Sequence, residues 1–360
     1  MREDMSNADF LTVDFLVVGA GILGLASAAE LSALGRVALV EQEAHPCHHS
    51  SGRSAAIFVR SYGSPEVQAL TREAEQAFAE AEADGRFAAL GVPKGLLVVA
   101  PRGSGGSGAA PFRVAISPAE AARLNPILDP DRLEAAWWED SARDIDVHAM
   151  QTGYLATLRR NGGRLFTDHP VLRASWQGRR WLVQAGGTTI QADRVVNAAG
   201  AWADPVGALF GAAPLGLVPK RRSAAIIDPP AGIAAAGLPM VVDVEETVYF
   251  KPDAGRLMLS PADATPVEPH DAWADDMDIA LAVDRYERLT GRQVQRVHHI
   301  WAGLRTFLPD ENPMIGADAV VPGFYWLAGF GGFGVQTAPA AARRIAGLME
   351  GIPATQTEAV

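Results

Sequence analysis

Short apolar runs and glycine-rich segments alternate at the start of the chain. Residues 15–18 form an uninterrupted apolar run, a segment with helical spacing ends at Leu34, and residues 37–40 form a second apolar run that stops at Glu41. The first run is separated from the helical segment by a GxGxxG motif made of Gly19, Gly21 and Gly24. This order of strand, glycine turn, helix and strand predicts a βαβ unit with parallel strands.

The pattern predicts further helices and strands along the chain. Helices are expected over residues 64–83, 117–124, 148–161 and 335–349. Strands are expected over residues 95–100, 112–116, 181–184, 188–192 and 195–202, and from Phe324. Residues 101–111 are rich in Gly and Ser, which predicts a flexible loop whose purpose the sequence leaves open.

The βαβ unit carries the residues that a dinucleotide requires. A pyrophosphate binds where a helix begins, because the free N–H groups and the helix dipole favour an anion. Gly19 permits the tight turn, Gly21 lets the backbone approach the pyrophosphate, and Gly24 lets helix and strand pack closely. Glu41 can accept hydrogen bonds from the adenosine ribose, and its charge disfavours the 2′-phosphate of NADP.

Three later segments place small residues where a backbone could approach a ligand. They are HHSSGRSAA at 48–56, VVNAAGAW at 195–202 and FYWLAGFGGFG at 324–334. The alternatives are a polar surface loop for residues 48–56 and a tightly packed core strand for residues 195–202. His48 and His49 have no matching His, Asp or Glu at ligand spacing, so no metal is expected there.

Composition limits the partners and the location of the protein. The chain has 360 residues, 48% of them hydrophobic, which is enough for a large core and two domains. A net charge of −11 disfavours nucleic acid and anionic membrane surfaces as partners. The apolar run at 15–29 is too short to span a bilayer, and Glu3, Asp4 and Asp9 precede it, so we expect a cytoplasmic protein without stable membrane insertion. Cys47 is the only cysteine, which excludes an internal disulfide.

These motifs occur in the order found in one family of flavoproteins. GAGILG with Glu41, GRSAA, VNAAGAW, WAGLR, PDENPMIG and GFGGFGVQT together resemble the FAD-dependent D-amino-acid oxidase-like superfamily. The segments HHSSGRSAAIFVRSYG, LVPKRRSA, VYFKPDAG and HIWAGLRTF are most similar to bacterial FAD-dependent D-arginine dehydrogenase. The resemblance covers nearly the whole chain, from Asp14 to about Gly351.

The resemblance implies an α/β fold with a Rossmann-like FAD-binding domain that is discontinuous, and an α+β substrate domain built on a mixed sheet. The FAD-binding domain would comprise residues 10–85, 145–212 and 300–352. The substrate domain would comprise residues 86–144 and 213–299.

The resemblance also implies FAD as the cofactor. Noncovalent binding is expected, because Cys47 does not match the cysteine that tethers flavin in related sarcosine oxidases. FAD would lie extended, with its adenine end at Glu41 and its ring facing residues 331–337. The residues expected to contact it are Gly19, Gly21, Ile22, Leu23, Gly24, Glu41, Ser50, Ser51, Arg53, Ser54, Ala199, Gly200, Trp202, Gly303, Gly331, Gly332, Phe333, Gly334, Val335, Gln336 and Thr337.

A small amino acid is the expected substrate, and its carboxylate needs a rigid partner. An arginine provides two charge-assisted hydrogen bonds, and Arg305 of the WAGLR motif is the first candidate. Arg222 and Tyr249 match positions that hold substrate in the similar dehydrogenases, and Tyr62 matches a tyrosine of their active-site lid. For each of these residues the alternative is a surface ion pair or half-buried packing.

Oxidative deamination is the reaction that the resemblance implies. An amine proton is lost, a hydride passes from Cα to flavin N5, and the released imino acid hydrolyses to a 2-oxo acid and ammonia. No side chain stands out as a general base, and deprotonation by solvent would be sufficient. The sequence leaves open whether a quinone, another carrier or O2 accepts the electrons.

Several residues depart from the pattern of D-arginine dehydrogenase. The acidic residue that receives the arginine side chain aligns with Gly95, next to Lys94, and two polar positions are occupied by Ile57 and Val59. These changes predict neutral, hydrophobic D-amino acids as substrates, while Lys94 leaves acidic ones open. Three other functions also stay open: a glycine or sarcosine-type amine oxidase, a flavoprotein that oxidises 2-hydroxy acids, and a flavin-binding protein without turnover.

Overall fold

The computed structural model describes residues 10–350. The strands of this range are β1 (Leu11–Val18), β2 (Val37–Val40), β3 (Ile57–Phe58), β4 (Leu90–Pro93), β5 (Leu96–Pro101), β6 (Val114–Ile116), β7 (Leu133–Glu139), β8 (Arg143–Ile145), β9 (Arg164–Phe166), β10 (Val171–Trp176), β11 (Trp181–Ala185), β12 (Thr188–Asn197), β13 (Val218–Ile227), β14 (Met240–Asp243), β15 (Tyr249–Asp253), β16 (Arg256–Ser260), β17 (Thr265–Pro266), β18 (Val297–Phe307), β19 (Met314–Ala317) and β20 (Phe324–Ala328). The α-helices are α1 (Ile22–Leu31), α2 (Pro65–Ala83), α3 (Pro118–Leu124), α4 (Val147–Arg160), α5 (Ala203–Leu209), α6 (Asp276–Thr290) and α7 (Gly334–Gly347). None of these helices combines the length and the apolar character that a bilayer crossing requires.

The first sheet contains the predicted βαβ unit. Strands β9, β2, β1 and β12 are parallel neighbours in that order, and β20 pairs in parallel with the last residues of β12. The antiparallel strands β11 and β10 extend the sheet from the first half of β12. Helix α1 ends at Leu31 instead of Leu34, because the following residues form a turn in which the Gly35 N–H donates to the Leu31 carbonyl at 3.2 Å.

The two strands predicted at 188–192 and 195–202 are one strand that ends early. β12 stops at Asn197, whose side-chain amide donates to the Ala203 carbonyl at 2.7 Å and accepts the Ala199 N–H at 3.2 Å. These two bonds bend the chain into a 3₁₀ helix over Gly200–Trp202. The prediction that the strand continues to Trp202 was therefore wrong, and the small residues lie just beyond its end.

The second sheet is mixed. Its order is β18, β13, β16, β15, β14, β5, β7 and β6, with β17 beside the first half of β13. The β14–β5 pair is parallel and the other pairs are antiparallel. The predicted α/β fold with a mixed second sheet is confirmed. The domain boundary expected at residue 300 falls inside β18, which pairs with β13 along the whole length of β13.

A small sheet of β3, β8 and β4 lies between the two large sheets and carries an ion-pair cluster. Asp144 of β8 accepts from the buried Lys251 of β15 at 2.6 Å and also pairs with Lys94. Burial opposes the ionisation of Asp144, but the two ammonium groups outweigh it and hold its pKa below the ordinary value of 3.8. This carboxylate therefore ties the second sheet to the small sheet.

Two glycines set the distance between α1 and the first sheet. Gly19 has a φ of +96°, and a Cβ there would lie 2.7 Å from the Ala198 carbonyl oxygen. A Cβ on Gly24 would lie 1.8 Å from the Gly19 carbonyl oxygen, so neither position tolerates a side chain. Gly21 differs, because its φ is −64° and its Cβ would come no closer than 3.4 Å to Ser51 Oγ.

We predict that Gly24→Ala lowers the free energy of unfolding by roughly 3 kcal/mol, because the new methyl group must push α1 away from β1. The matched control is Gly21→Ala, which should change the free energy of unfolding by less than about 0.5 kcal/mol. Urea denaturation of the cofactor-free protein, followed by circular dichroism, measures both values. Equal effects of the two substitutions would contradict the packing described here.

We predict that Asp144→Asn lowers the free energy of unfolding by roughly 2 kcal/mol at pH 7, because Lys251 is left buried without its counter-charge. The Asp144 pKa is depressed in the folded protein, so this stabilisation is complete above pH 3.8 and is lost as the pH falls further. Denaturation series between pH 3 and pH 7 on wild type and variant measure this, with the exposed Asp140→Asn as control. A stability difference that stays constant down to pH 3 would refute the ion-pair explanation.

Candidate active site and cofactor cavity

A cavity of about 440 Å³ lies between the carboxyl ends of β1, β2 and β12 and the near face of the second sheet. It brings together most of the residues that the sequence assigned to a cofactor: Gly19, Gly21, Ile22, Leu23, Glu41, Ser50, Ser51, Arg53, Ser54, Ala199, Gly200, Trp202, Gly303, Gly331, Gly332, Gly334 and Val335. Arg222, Tyr249 and Arg305 line the same cavity. Residues from distant parts of the chain therefore share one site.

The start of α1 presents unused hydrogen-bond donors beside this cavity. The Ile22 N–H donates to Ser51 Oγ at 3.0 Å. Within residues 10–350, no acceptor receives the N–H groups of Leu23 and Gly24. A helix start with free donors and an unobstructed Gly21 fits the pyrophosphate of a dinucleotide.

Glu41 is held in a fixed orientation at the end of β2. One carboxylate oxygen accepts the Ala20 N–H at 2.6 Å and the other accepts the Glu43 N–H at 3.0 Å. A carboxylate offers about four lone pairs, so two acceptor positions stay available for the hydroxyl groups of a ribose. The backbone carbonyl of Glu41 also accepts the N–H of His169, which lines the cavity next to it.

Sequence reasoning missed the residues on the far side of Glu41. His169, Pro170 and Val171 line the cavity from the connection between β9 and β10. No motif marks this connection, and its place beside β2 follows from the parallel pairing of β9 with β2. The loss of strand character after Phe166 is a weak signal that could have suggested a binding loop.

Arg53 lines the cavity, but its guanidinium is used inside the protein. Nη1 donates to the carbonyl groups of Ala272 at 2.7 Å and Ala302 at 3.2 Å, and Nη2 donates to Asp271 at 2.5 Å. The structure therefore makes Arg53 a link between the segment 48–56 and strand β18. Ser50 acts similarly, because its hydroxyl donates to the Leu304 carbonyl.

The two histidines of the segment 48–56 have acidic neighbours that the sequence spacing did not reveal. The ligand atoms of Glu43, His48 and His49 lie within 4.8 Å of one another, and Asp271 lies 3.6 and 3.7 Å from the two imidazoles. The expectation that they lack acidic partners was wrong, because the fold of the loop brings the partners in. The positively charged Arg53 beside Asp271 and His48 opposes the binding of a cation.

Glycines form the opposite end of the cavity, between β20 and α7. A Cβ on Gly331, where φ is +47°, would lie 2.2 Å from the Phe307 ring. A Cβ on Gly332 would lie 2.9 Å from both Arg305 Nη1 and Tyr62 Oη. The backbone here therefore passes directly against the residues proposed to hold the substrate.

Four residues assigned to the cofactor do not line the cavity. Gly24 is covered by the packing of α1, and the Phe333 ring packs on Tyr62 with centroids 4.7 Å apart. Gln336 accepts the Val59 N–H at 3.1 Å, and the Thr337 hydroxyl donates to the Phe333 carbonyl at 2.8 Å. The side chains of the last three residues serve packing and hydrogen bonding within the protein.

Arg222 and Arg305 are neighbouring cations without acidic partners. They lie on the paired strands β13 and β18 and are half-buried. Arg222 Nε donates to the Asp263 backbone carbonyl at 2.6 Å, and Arg305 Nη1 donates to Tyr62 Oη at 3.3 Å. No carboxylate of the described residues accepts from either guanidinium. Two half-buried positive charges are therefore suited to bind an anionic ligand.

The pKa values of this cluster follow from its charges. Burial lowers the pKa of the Arg222 guanidinium, and the adjacent charge of Arg305 lowers it further. Burial also opposes the charge of Arg305, but the phenol groups of Tyr62 and Tyr249 outweigh it and raise its pKa. Burial would raise the pKa of Tyr249, yet the two arginines outweigh burial and lower it. The carboxylate of Asp263 acts in the raising direction on the pKa values of both guanidinium groups, so it offsets part of the positive charge of the site.

The wall beside this cluster is apolar, although not for the reason that the alignment suggested. A side chain at Gly95 would meet the Trp138 ring at 1.8 Å, on the far side of the second sheet, and Lys94 is paired with Asp144. The arguments from Gly95 and from a free Lys94 were therefore wrong. The apolar residues that line the cavity beside Tyr249 are Ala55, Ala224 and Met258, and Met240 and Val242 belong to the same hydrophobic cluster without lining the cavity.

Comparison with known proteins agrees with this architecture. The family model of FAD dependent oxidoreductases, DAO, matches residues 14–348. Human mitochondrial dimethylglycine dehydrogenase is 25% identical over 240 residues, which cover 60% of this chain and 27% of that protein. Human mitochondrial sarcosine dehydrogenase is 24% identical over 236 residues, which cover 61% and 25%. This chain thus matches about a quarter of the length of these relatives.

Solved structures share the fold over almost the whole chain. L-proline dehydrogenase from P. horikoshii has a TM-score of 0.81 and 20% identity, covering 95% of this chain and 94% of that one. Glycine oxidase from Geobacillus kaustophilus has a TM-score of 0.80 and 21% identity, covering 94% and 95%. L-α-glycerophosphate oxidase from Mycoplasma pneumoniae, with FAD bound, has a TM-score of 0.80 and 20% identity, covering 94% of each chain. The glycine turn, the cavity and the family match together lead to one conclusion: this chain belongs to the DAO family of FAD-dependent oxidoreductases.

Proposed function

We propose that the protein catalyses the oxidative deamination of D-amino acids with neutral, apolar side chains. The observation that carries the proposal is the pair of guanidinium groups of Arg222 and Arg305, which form no ion pair with a carboxylate of residues 10–350 and stand beside an apolar wall. A substrate with one carboxylate and one apolar side chain would fit both the guanidinium pair and the apolar wall. The D configuration rests only on the resemblance to D-arginine dehydrogenase that the sequence motifs predict.

FAD is the cofactor, and the cavity has the groups that would hold it. The free N–H groups at the start of α1 would bind the pyrophosphate, and Glu41 would bind the ribose. The glycines 331–334 leave room for the ring beside Arg305. When bound, FAD supplies the acceptor for the hydride that leaves the substrate Cα.

The protein side chains bind and orient the substrate in this proposal. Arg305 and Arg222 would bind the carboxylate with charge-assisted hydrogen bonds, and Tyr249 and Tyr62 would add phenol donors from either side. Fixing the carboxylate at one end and the apolar side chain at the other determines which way Cα–H points. No carboxylate or imidazole among the described residues lines the cavity next to the two arginines, so we assign removal of the amine proton to solvent.

Oxidation of glycine or its N-methyl derivatives is the second candidate. It is favoured by the relatives named dimethylglycine dehydrogenase and sarcosine dehydrogenase, and by the structural similarity to a glycine oxidase. Such a substrate also presents a carboxylate to Arg305 but has no side chain for the apolar wall. A 2-hydroxy acid would use the same carboxylate site and would release no ammonia.

Anaerobic bleaching of the bound flavin by a substrate panel tests the proposal. We expect D-leucine, D-methionine and D-phenylalanine to bleach the flavin absorption near 450 nm at least about tenfold faster than their L-enantiomers, as the proposed D configuration requires. The same tenfold difference is expected relative to D-arginine, because the apolar wall offers no acidic partner to its guanidinium. Sarcosine, dimethylglycine and lactate serve as comparison substrates, and ammonia is assayed in parallel. Bleaching only by the N-methyl amines would replace the proposal with the second candidate, and bleaching by L-enantiomers would remove the D assignment.

We expect Arg305→Met to lower kcat/KM for the best D-amino acid roughly 100-fold, because a bidentate charged hydrogen bond of roughly 3 kcal/mol is lost. Arg221→Met is the matched control, since Arg221 lies on β13 but pairs with Asp278 at 2.6 Å outside the cavity. Flavin content, measured from the absorption ratio, checks that both variants keep their cofactor. Equal losses in the two variants would show that Arg305 does not bind the carboxylate.

A further inference from the structure

A buried carboxylate holds the segment that carries Tyr62. This segment, residues 59–63, follows β3 and passes over Glu139 at the end of β7. The Glu139 side chain is fully buried, and its Oε1 accepts the N–H groups of Arg60 at 3.0 Å and Ser61 at 3.4 Å and the hydroxyl of Ser141 at 2.6 Å. Glu139 does not line the cavity, so the proposed chemistry makes no direct use of it.

The carbonyl groups of the same segment are held by a second side chain. Gln68 of α2 donates to the carbonyl groups of Ser61 at 3.3 Å and Gly63 at 3.0 Å. Glu139 of β7 thus binds two N–H groups of this segment, and Gln68 of α2 binds two of its carbonyl groups. The segment that places Tyr62 against Arg305 is therefore fixed from both sides.

The other oxygen of Glu139 has no hydrogen bond and faces the Gly/Ser loop. Oε2 is buried without a partner and lies 3.9 Å from Arg113 Nε. Arg113 donates to Ser61 Oγ at 3.0 Å and to the Gly108 carbonyl at 3.2 Å. Burial lowers the pKa of Arg113, but its positive charge is the nearest one that balances the Glu139 carboxylate. The loop at 101–111, whose purpose the sequence left open, thus contacts the same segment through Arg113, which follows the loop and donates to its Gly108 carbonyl.

We propose that Glu139 is a positioning residue for substrate binding: it holds residues 60 and 61 so that the Tyr62 hydroxyl stays on Arg305. A carboxylate suits this task because hydrogen bonds to a charged acceptor are about twice as strong as neutral ones. Tyr62 accepts from Arg305 Nη1 at 3.3 Å and packs on Phe333, so a shift of its backbone would turn the arginine away from its present position. The effect of Glu139 on substrate binding rests on the proposed function, whereas its effect on the position of residues 60 and 61 does not.

Hydrogen exchange of the holoenzyme tests the hold on the segment directly. In Glu139→Gln, which keeps one neutral acceptor, the amides of Arg60 and Ser61 should exchange roughly 10-fold faster than in the wild type, and in Glu139→Ala faster still. Asp243→Asn is the matched control, because Asp243 is a buried carboxylate that accepts the N–H groups of Thr247 and Val248 in another turn. That variant should speed exchange at residues 247 and 248 only. Unchanged exchange at residues 60 and 61 in Glu139→Gln overturns the proposal, even if the alanine variant does not fold.

A double-mutant cycle with Tyr62→Phe tests whether Glu139 acts through Tyr62. Glu139→Gln should raise the KM for the best D-amino acid and the Kd of benzoate, read from the flavin spectrum, about fivefold in the wild type and less than about twofold in Tyr62→Phe. Equal effects in the two backgrounds would show that Glu139 has a structural role only. If no D-amino acid is oxidised, the proposed function fails, while benzoate titration and hydrogen exchange still decide the role of Glu139.

Discussion

The close contact between Gly24 and the carbonyl oxygen of Gly19 determines where the cavity forms. It packs α1 against the carboxyl ends of β1 and β12. The first N–H groups of the helix therefore lie beside the glycine turn and not in the protein interior. The same contact leaves Gly21 at the surface of the cavity, next to Ser51. An anion can therefore approach the backbone at a place where the N–H groups of Leu23 and Gly24 have no acceptor among residues 10–350. Every other element of the site is arranged around this opening.

The second sheet supplies positive charge to the other end of the cavity, beside Gly332. Arg222 and Arg305 lie on the paired strands β13 and β18, where Arg222 donates to the Asp263 backbone carbonyl and Arg305 to the Tyr62 phenol. Keeping two such charges half-buried costs free energy, and in the proposed function a bound carboxylate would offset this cost. The small sheet and the segment 59–63 close the site by bringing Tyr62 to Arg305.

Charged side chains connect the separate sheets and loops of this arrangement. Asp144 joins the second sheet to the small sheet, Arg53 joins the loop after β2 to β18, and Glu139 joins β7 to the Tyr62 segment. Each bond crosses between elements that are far apart in sequence. The hydrophobic clusters define which elements pack together, and these polar bonds define their exact alignment around the cavity.

Local patterns were sufficient for the βαβ unit and several further helices and strands, but not for the direction of side chains. The βαβ unit and Glu41 were predicted from the sequence, because strand, turn and helix depend on neighbouring residues. Arg53 and Gln336 were assigned to the cofactor by their position in motifs, yet their polar atoms bind Asp271 and Val59. The substrate prediction from Gly95 was wrong, because a side chain at this position would point at Trp138.

The sequence by itself determined the family and the cofactor and predicted the place of the dinucleotide site, since the glycine spacing and the terminal acid of β2 encode a local geometry. The tertiary structure alone decided that Arg222 and Arg305 stand together without an ion pair to any carboxylate of residues 10–350, and that Glu139 supports Tyr62. These contacts join residues separated by more than 70 positions. Their distances depend on how two sheets pack, which no spacing along the chain can specify.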